Sequence, residues 1–203
     1  MKKKKRGGKK NRYNVRGEYK KSWRYLKESR NFIYIIMGVF FAFTLAGFFL
    51  PVPGIVSEYI KTVIQQIITE TEGMNQSQLI LFIFFNNAKS SLVGMVLGIF
   101  FGIFPLISTI MNGYLLGFVS LMAVEGGGWK TLLNLLPHGI FELPAVFISL
   151  GMGLKLSMFI FQKNKGESFR EYLWSSLRVF LFIVLPLLII AAIIEGSLIF
   201  LEK

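Results

Sequence analysis

Five stretches of the chain are apolar over lengths that cross a bilayer, and short polar segments separate them. Phe32 to Leu50 is a run of 19 uncharged residues, about 28 Å as a helix, which suffices for the hydrocarbon core. Pro51 and Pro53 follow it and stop helices. Leu79 to Phe104 reads as a second span with polar residues in its first half, and Pro105 separates it by a very short turn from a third, Leu106 to Val124. A fourth runs from about His138 to Phe161 and a fifth from about Arg178 to Phe200. Between the third and fourth, Trp129, Leu132, Leu133 and Leu136 fall at i, i+3, i+4, i+7 opposite Lys130, Thr131 and Asn134; this is an interfacial or re-entrant half helix and not a span. From Ile55 to Glu70, apolar pairs alternate with polar pairs. A period of four suits a helix whose apolar stripe winds slowly around it, either lying on the bilayer or its own bundle or offering a docking face. The predicted fold class is all-α: a polytopic membrane helix bundle of five transmembrane helices with amphipathic and re-entrant helical segments.

Composition agrees. The chain has 203 residues, 53% of them hydrophobic and 17% charged, where a soluble domain carries about 25% charged residues. It contains no Cys and one His, so disulfides, thiolate zinc sites and a two-His metal motif within one subunit are excluded. No metal, cofactor or catalytic residue is predicted. Residues 1–31 hold 14 Lys and Arg against Glu18 and Glu28, which is the entire net charge of +12. A basic block before the first span places the N-terminus in the cytoplasm. Five passes then put the C-terminus outside, and the basic segment 162–178 falls on the cytoplasmic side. The chain therefore divides into a basic cytoplasmic tail, 1–31, partly disordered, and a five-span domain, 32–200, with an extracytoplasmic amphipathic helix at about 54–72. The predicted location is the cell membrane, and the predicted partners are the bilayer, anionic lipid headgroups at the N-terminal tail and other proteins, with a homodimer left open; polybasic juxtamembrane segments favour lipid over nucleic acid.

Inside the spans, Ser90, Gly94, Gly98 and Gly102 stand at i+4 spacing on span two, and Gly113 and Gly117 repeat it on span three. Such faces let helix backbones approach closely, here expected between spans two and three. The intramembrane polar residues are Asn86, Asn87 and Lys89 on span two, Asn112 on span three, His138 and Glu142 on span four, and Glu195 on span five. Polar groups at this depth usually face an interior cavity, and the topology places most of them in the outer half of the bilayer. Pro137 and Pro144 bracket His138 and Glu142, so span four begins broken, as in sites that expose backbone to a cavity. Lys155, near the inner end of span four, is expected to snorkel. The cluster is either an ionic lock that fastens spans two, four and five or a working site.

The segments FFNNAKSSLVGMVLGIFFGIFP, MNGYLLG, LLPHGIFELPAV and AAIIEG, in that order, resemble the stage II sporulation protein M (SpoIIM) family over about 170 residues. The resemblance implies a five-span protein. It also implies a role as a membrane scaffold or complex anchor, because the namesake anchors peptidoglycan-degrading enzymes during engulfment; no enzymatic activity follows from it. The alternative reading is a channel or secondary transporter for an ion or small solute, built on the polar cluster.

Overall fold

The structure, a computed structural model, describes residues 14–50 and 54–201; Pro51, Pro53 and residues 1–13 lie outside that range. Every element among the described residues is helical. In chain order they are α1 (Val15–Glu28), α2 (Arg30–Phe49), α3 (Gly54–Thr71), α4 (Gln76–Val96), α5 (Ile103–Gly127), α6 (Leu136–Ser157), α7 (Lys165–Val179) and α8 (Leu185–Leu201). Five helical stretches are long and apolar enough to cross a membrane: Arg30–Phe49, Gln76–Ile99, Ile103–Gly127, Gly139–Phe161 and Lys165–Leu201.

α6 is the axis of the bundle. Half of its span is buried, against 17% for α2, and α2, α4 and α8 pack around it while α5 packs chiefly on α2. Close approach is achieved with glycine. A Cβ added at Gly98 would meet the carbonyl oxygen of Gly153 on α6, and one at Gly94 would lie 2.6 Å from Leu150 Cδ2. On the other seam, a Cβ at Gly117 would strike the Thr44 carbonyl oxygen, and one at Gly113 would lie 2.5 Å from that of Phe40. The small-residue faces of spans two and three therefore do not meet each other, as the sequence pattern suggested. The face on α4 receives α6 and the face on α5 receives α2, because α4 and α5 splay apart from their turn and each finds a different neighbour.

That turn also differs from expectation. The break falls at Phe101 and Gly102, with φ of +56° and +72°, and not at Pro105. Consecutive left-handed residues reverse the chain, whereas Pro105 occupies the first turn of α5, where its missing N–H has no intrahelical partner to lose.

At the opposite sequence end, α7 does not stop before the fifth span. It continues through a π-helical turn, Phe180–Val184, into α8 as one 37-residue helix, about 55 Å long and hence longer than a bilayer core. Pro186 lies just past the π turn; it withholds an N–H and its ring presses on the carbonyl four residues back, which widens the helix there. α7 thus projects beyond the spans, and α1 packs along it. Arg178 Nε on α7 bonds Glu18 Oε2 on α1 at 2.6 Å, and Ser22 Oγ donates to the Arg178 carbonyl at 3.4 Å. Part of the basic N-terminal segment is therefore an ordered helix docked on the bundle.

Candidate functional site

Three helices each bring an i, i+4 ladder to one small cavity. α4 contributes Asn87 and Ser91, α5 contributes Ser108 and Asn112, and α6 contributes Glu142, Val146 and Leu150, with Ser90 at the edge. The volume is about 40 Å³, room for one small polar group or a few waters. Asn112 Nδ2 donates to the Ser108 carbonyl at 2.7 Å and to Ser108 Oγ at 3.3 Å, so the amide is tied back onto its own helix. Ser149 Oγ donates to the Ser91 carbonyl at 2.8 Å across the buried α4–α6 seam. Glu142 is half-buried.

Of the seven polar residues singled out by depth, Asn87, Asn112 and Glu142 share this cavity. Glu195 is half-buried on α8 and is not among its lining residues. The His138 side chain lies outside the described residues, although its backbone opens α6. Asn86 and Lys89 are exposed on the outer face of α4, so the expected convergence of Lys89 with Glu142 does not occur. Helix phase explains the split: Asn87, Ser91 and Gly94 follow i, i+4, i+7 and turn inward, while Asn86 and Lys89 lie on the adjoining outward strip, with exposed Ser90 and Val93 at the rim of the groove beside it. An exposed ammonium near the bilayer centre costs about 2.5–3.5 kcal/mol. Ser108 was not singled out from the sequence; its position one turn before Asn112 was the available signal.

Beside the cavity lies a larger apolar groove of about 640 Å³ between the splayed α4 and α5. Ser90, Ser108 and Asn112 line both spaces. The groove runs along the helices from Ser90 to Leu97, about 10 Å, and Val56, Tyr59, Ile60 and Val63 of α3 close one side of it. α3 therefore leans its apolar stripe on this groove, and Ile60 is buried there.

A second polar node lies at the end carrying α1 and α7. Lys155 is buried, not snorkelling: its Nζ donates to Ser29 Oγ at 3.0 Å and stands 3.8 Å from the Tyr25 ring centroid, with the Tyr172 ring at 5.9 Å. The cause is α1, which roofs this end of the bundle and takes the place of the lipid–water boundary that the ammonium would otherwise reach. Ser29 Oγ in turn donates to the Tyr25 carbonyl at 2.6 Å, at the junction of α1 and α2. Burial pushes the Tyr25 phenol above its ordinary pKa. Glu18 is held below its ordinary value by its hydrogen bond from Lys21 and by the Arg178 charge, against some opposing desolvation.

An all-helical chain with five membrane-length apolar helices and polar side chains converging between them defines a polytopic integral membrane protein. The stage II sporulation protein M family model matches residues 30–198, and the chain belongs to that family. It is 32% identical over 119 residues to an uncharacterized protein of Methanocaldococcus jannaschii; the match covers 55% of this chain and 53% of that relative, so the chain spans about half the relative's length. No solved structure matches.

Proposed function

We propose that this chain is a membrane anchor that holds partner proteins at the cell membrane, with α1 and α7 as the docking platform on the cytoplasmic side and α3 and the C-terminus outside. The observation that carries the reading is the α1–α7 pair. Two helices that project from the spans are locked together by Glu18–Arg178, the Lys155–Tyr25 contact fastens α1 to α6 as well, and the pair presents Tyr19, Trp23 and Trp174 to the surroundings. Exposed aromatics beside fixed charges are typical of protein-binding surfaces. The basic residues of α1, Arg16, Lys20, Lys21, Arg24 and Lys27, add attraction to anionic lipid headgroups, about 1 kcal/mol each near a charged surface. Family membership is consistent with anchoring, and the orientation follows the basic residues.

The test is a photoreactive phenylalanine analogue at Trp174 in native membranes. Anchoring predicts discrete protein adducts that disappear in Glu18→Arg, which sets two cations against each other and releases α1. Lipid-only adducts would remove the reading. Transport is the second reading, favoured by the convergence of Asn87, Asn112 and Glu142. It requires solute flux in proteoliposomes that Glu142→Gln changes.

A further inference from the structure

Lys89 is the fourteenth residue of the 24-residue span Gln76–Ile99, about 20 Å along the helix from one end and 15 Å from the other. It is exposed on the outside of the bundle and forms no hydrogen bond or ion pair with any described residue. Beside it lie exposed Asn86, Phe85 and Val93. A hydrocarbon core about 30 Å thick leaves either interface near 15 Å away, too far for a four-carbon stem to carry the ammonium into water. In lipid this side chain carries roughly a hundredfold penalty in the insertion equilibrium. A neutral residue would avoid the penalty with no loss of internal packing, so the strip is built for something other than lipid.

From this we infer that the Phe85–Asn86–Lys89–Val93 strip of α4 is an intramembrane docking face for a transmembrane helix of another protein, one that carries a carboxylate at mid-span. A carboxylate neutralises the ammonium, Asn86 supplies hydrogen bonds one turn away, and Phe85 and Val93 supply the apolar flanks. Anionic lipid headgroups lie at the interfaces and do not reach this depth. A second copy of this chain does not fit either: Glu125, Glu167 and Glu171 lie toward the ends of their helical stretches, and Glu142 and Glu195 are half-buried and already engaged. A two-fold contact on the strip would set Lys89 against Lys89. The inference rests on the anchoring reading and adds to it a site and a partner chemistry.

The chain has no cysteine, so Ser77→Cys gives a unique dye site near one end of α4. The full-length protein in liposomes is mixed with dye-labelled synthetic Leu/Ala transmembrane helices carrying one central Glu, Gln or Lys, and association is read as energy transfer. The Glu helix is expected to bind at least tenfold tighter than the Gln helix. The preference disappears in Lys89→Met and passes to the Lys helix in Lys89→Glu. Lys89→Met should also raise, not lower, the yield of folded protein alone in detergent, because the exposed charge is gone. Equal binding of the Glu and Gln helices to the wild-type protein, or an undiminished Glu preference in Lys89→Met, overturns the inference. So does energy transfer between two dye-labelled copies of the protein alone that Lys89→Met abolishes. Adducts from Trp174 are unaffected by either result, so loss of the charged strip and loss of the anchoring role are distinguishable.

Discussion

The packing of α5 on α2 yields a sharp test in Gly117→Ala. A single added methyl at Gly117 would overlap the Thr44 carbonyl oxygen and lie 2.9 Å from Phe48 N. Both obstacles are helix backbone, so neither yields as a side-chain tip would. The seam is also fixed from the other direction, since a Cβ at Gly47 would strike the Tyr114 carbonyl and one at Gly113 the Phe40 carbonyl. The helices must therefore separate along several turns, and overpacking of this kind costs about 1–3 kcal/mol. The matched control is Gly38→Ala on α2, which has nothing within 4 Å of the new methyl and gains up to about 1 kcal/mol of helix propensity. Gly117→Ala lies in a helix too and gains the same propensity, so the two variants should differ by the overpacking cost of about 1–3 kcal/mol, a roughly 5- to 150-fold change in the folded-to-unfolded ratio. Unfolding in detergent micelles titrated with dodecyl sulfate, followed by ellipticity, measures it. If Gly117→Ala unfolds within about 0.5 kcal/mol of Gly38→Ala, where surface changes scatter, the close-packing argument is wrong.

Cysteines introduced at Lys165 and Ser77 are expected to label from opposite faces of sealed vesicles; labelling from one face ends the five-span orientation. Gly98→Leu should lose far more folded protein in detergent than Phe100→Leu, because Gly98 meets the backbone of Gly153 while Phe100 is exposed; equal retention contradicts the α4–α6 seam. Glu18 has a folded pKa below its ordinary value of about 4.3. The α1–α7 clasp is therefore fully present at neutral pH and lost as pH falls through that lowered value. A spin-label pair at Lys20 and Trp174 should hold a narrow distance at neutral pH, broaden in acid, and already be broad in Glu18→Gln. Lys155→Glu should broaden the same distance at all pH values, since it sets a carboxylate against the negative ring face of Tyr25.

The number and placement of the spans were legible because membrane thickness converts directly into a run of apolar residues, which needs no partner to be recognised. The docked helices at the basic end were harder to read. α1 buries Ser22, Tyr25 and Ser29, at i, i+3, i+7, but two of the three are small polar residues, so no apolar stripe marks the face. In α7 the spacing Phe169, Tyr172, Leu173, Ser176 carried a helical period through a segment whose charge resembled a loop. Lys155 was misjudged for the same reason: its burial depends on α1 covering it, a contact between residues more than a hundred positions apart.

The polar cluster separates two kinds of information in a membrane sequence. Residue number along a span gives depth, and by depth Asn86, Asn87, Lys89, His138, Glu142 and Glu195 belong together in the outer half of the bilayer. Which of them meet depends on azimuth, and adjacent residues on a helix differ by about 100°. The small-residue ladder already supplied that angle, because Ser91 and Gly94 are buried where α4 receives α6, and any polar residue in phase with them must point inward. Asn87 is in phase and lines the cavity; Asn86 and Lys89 are not, and face outward. On α5 the rule runs differently. Gly113 and Gly117 face α2, and Asn112, one residue out of phase, turns toward the groove between α4 and α5. A polar residue beside a glycine ladder thus lines whatever space the ladder's own contact leaves open. On α5 that space is the groove lined by α3, α4 and α5, and at Asn86 and Lys89 on α4 no described residue covers it.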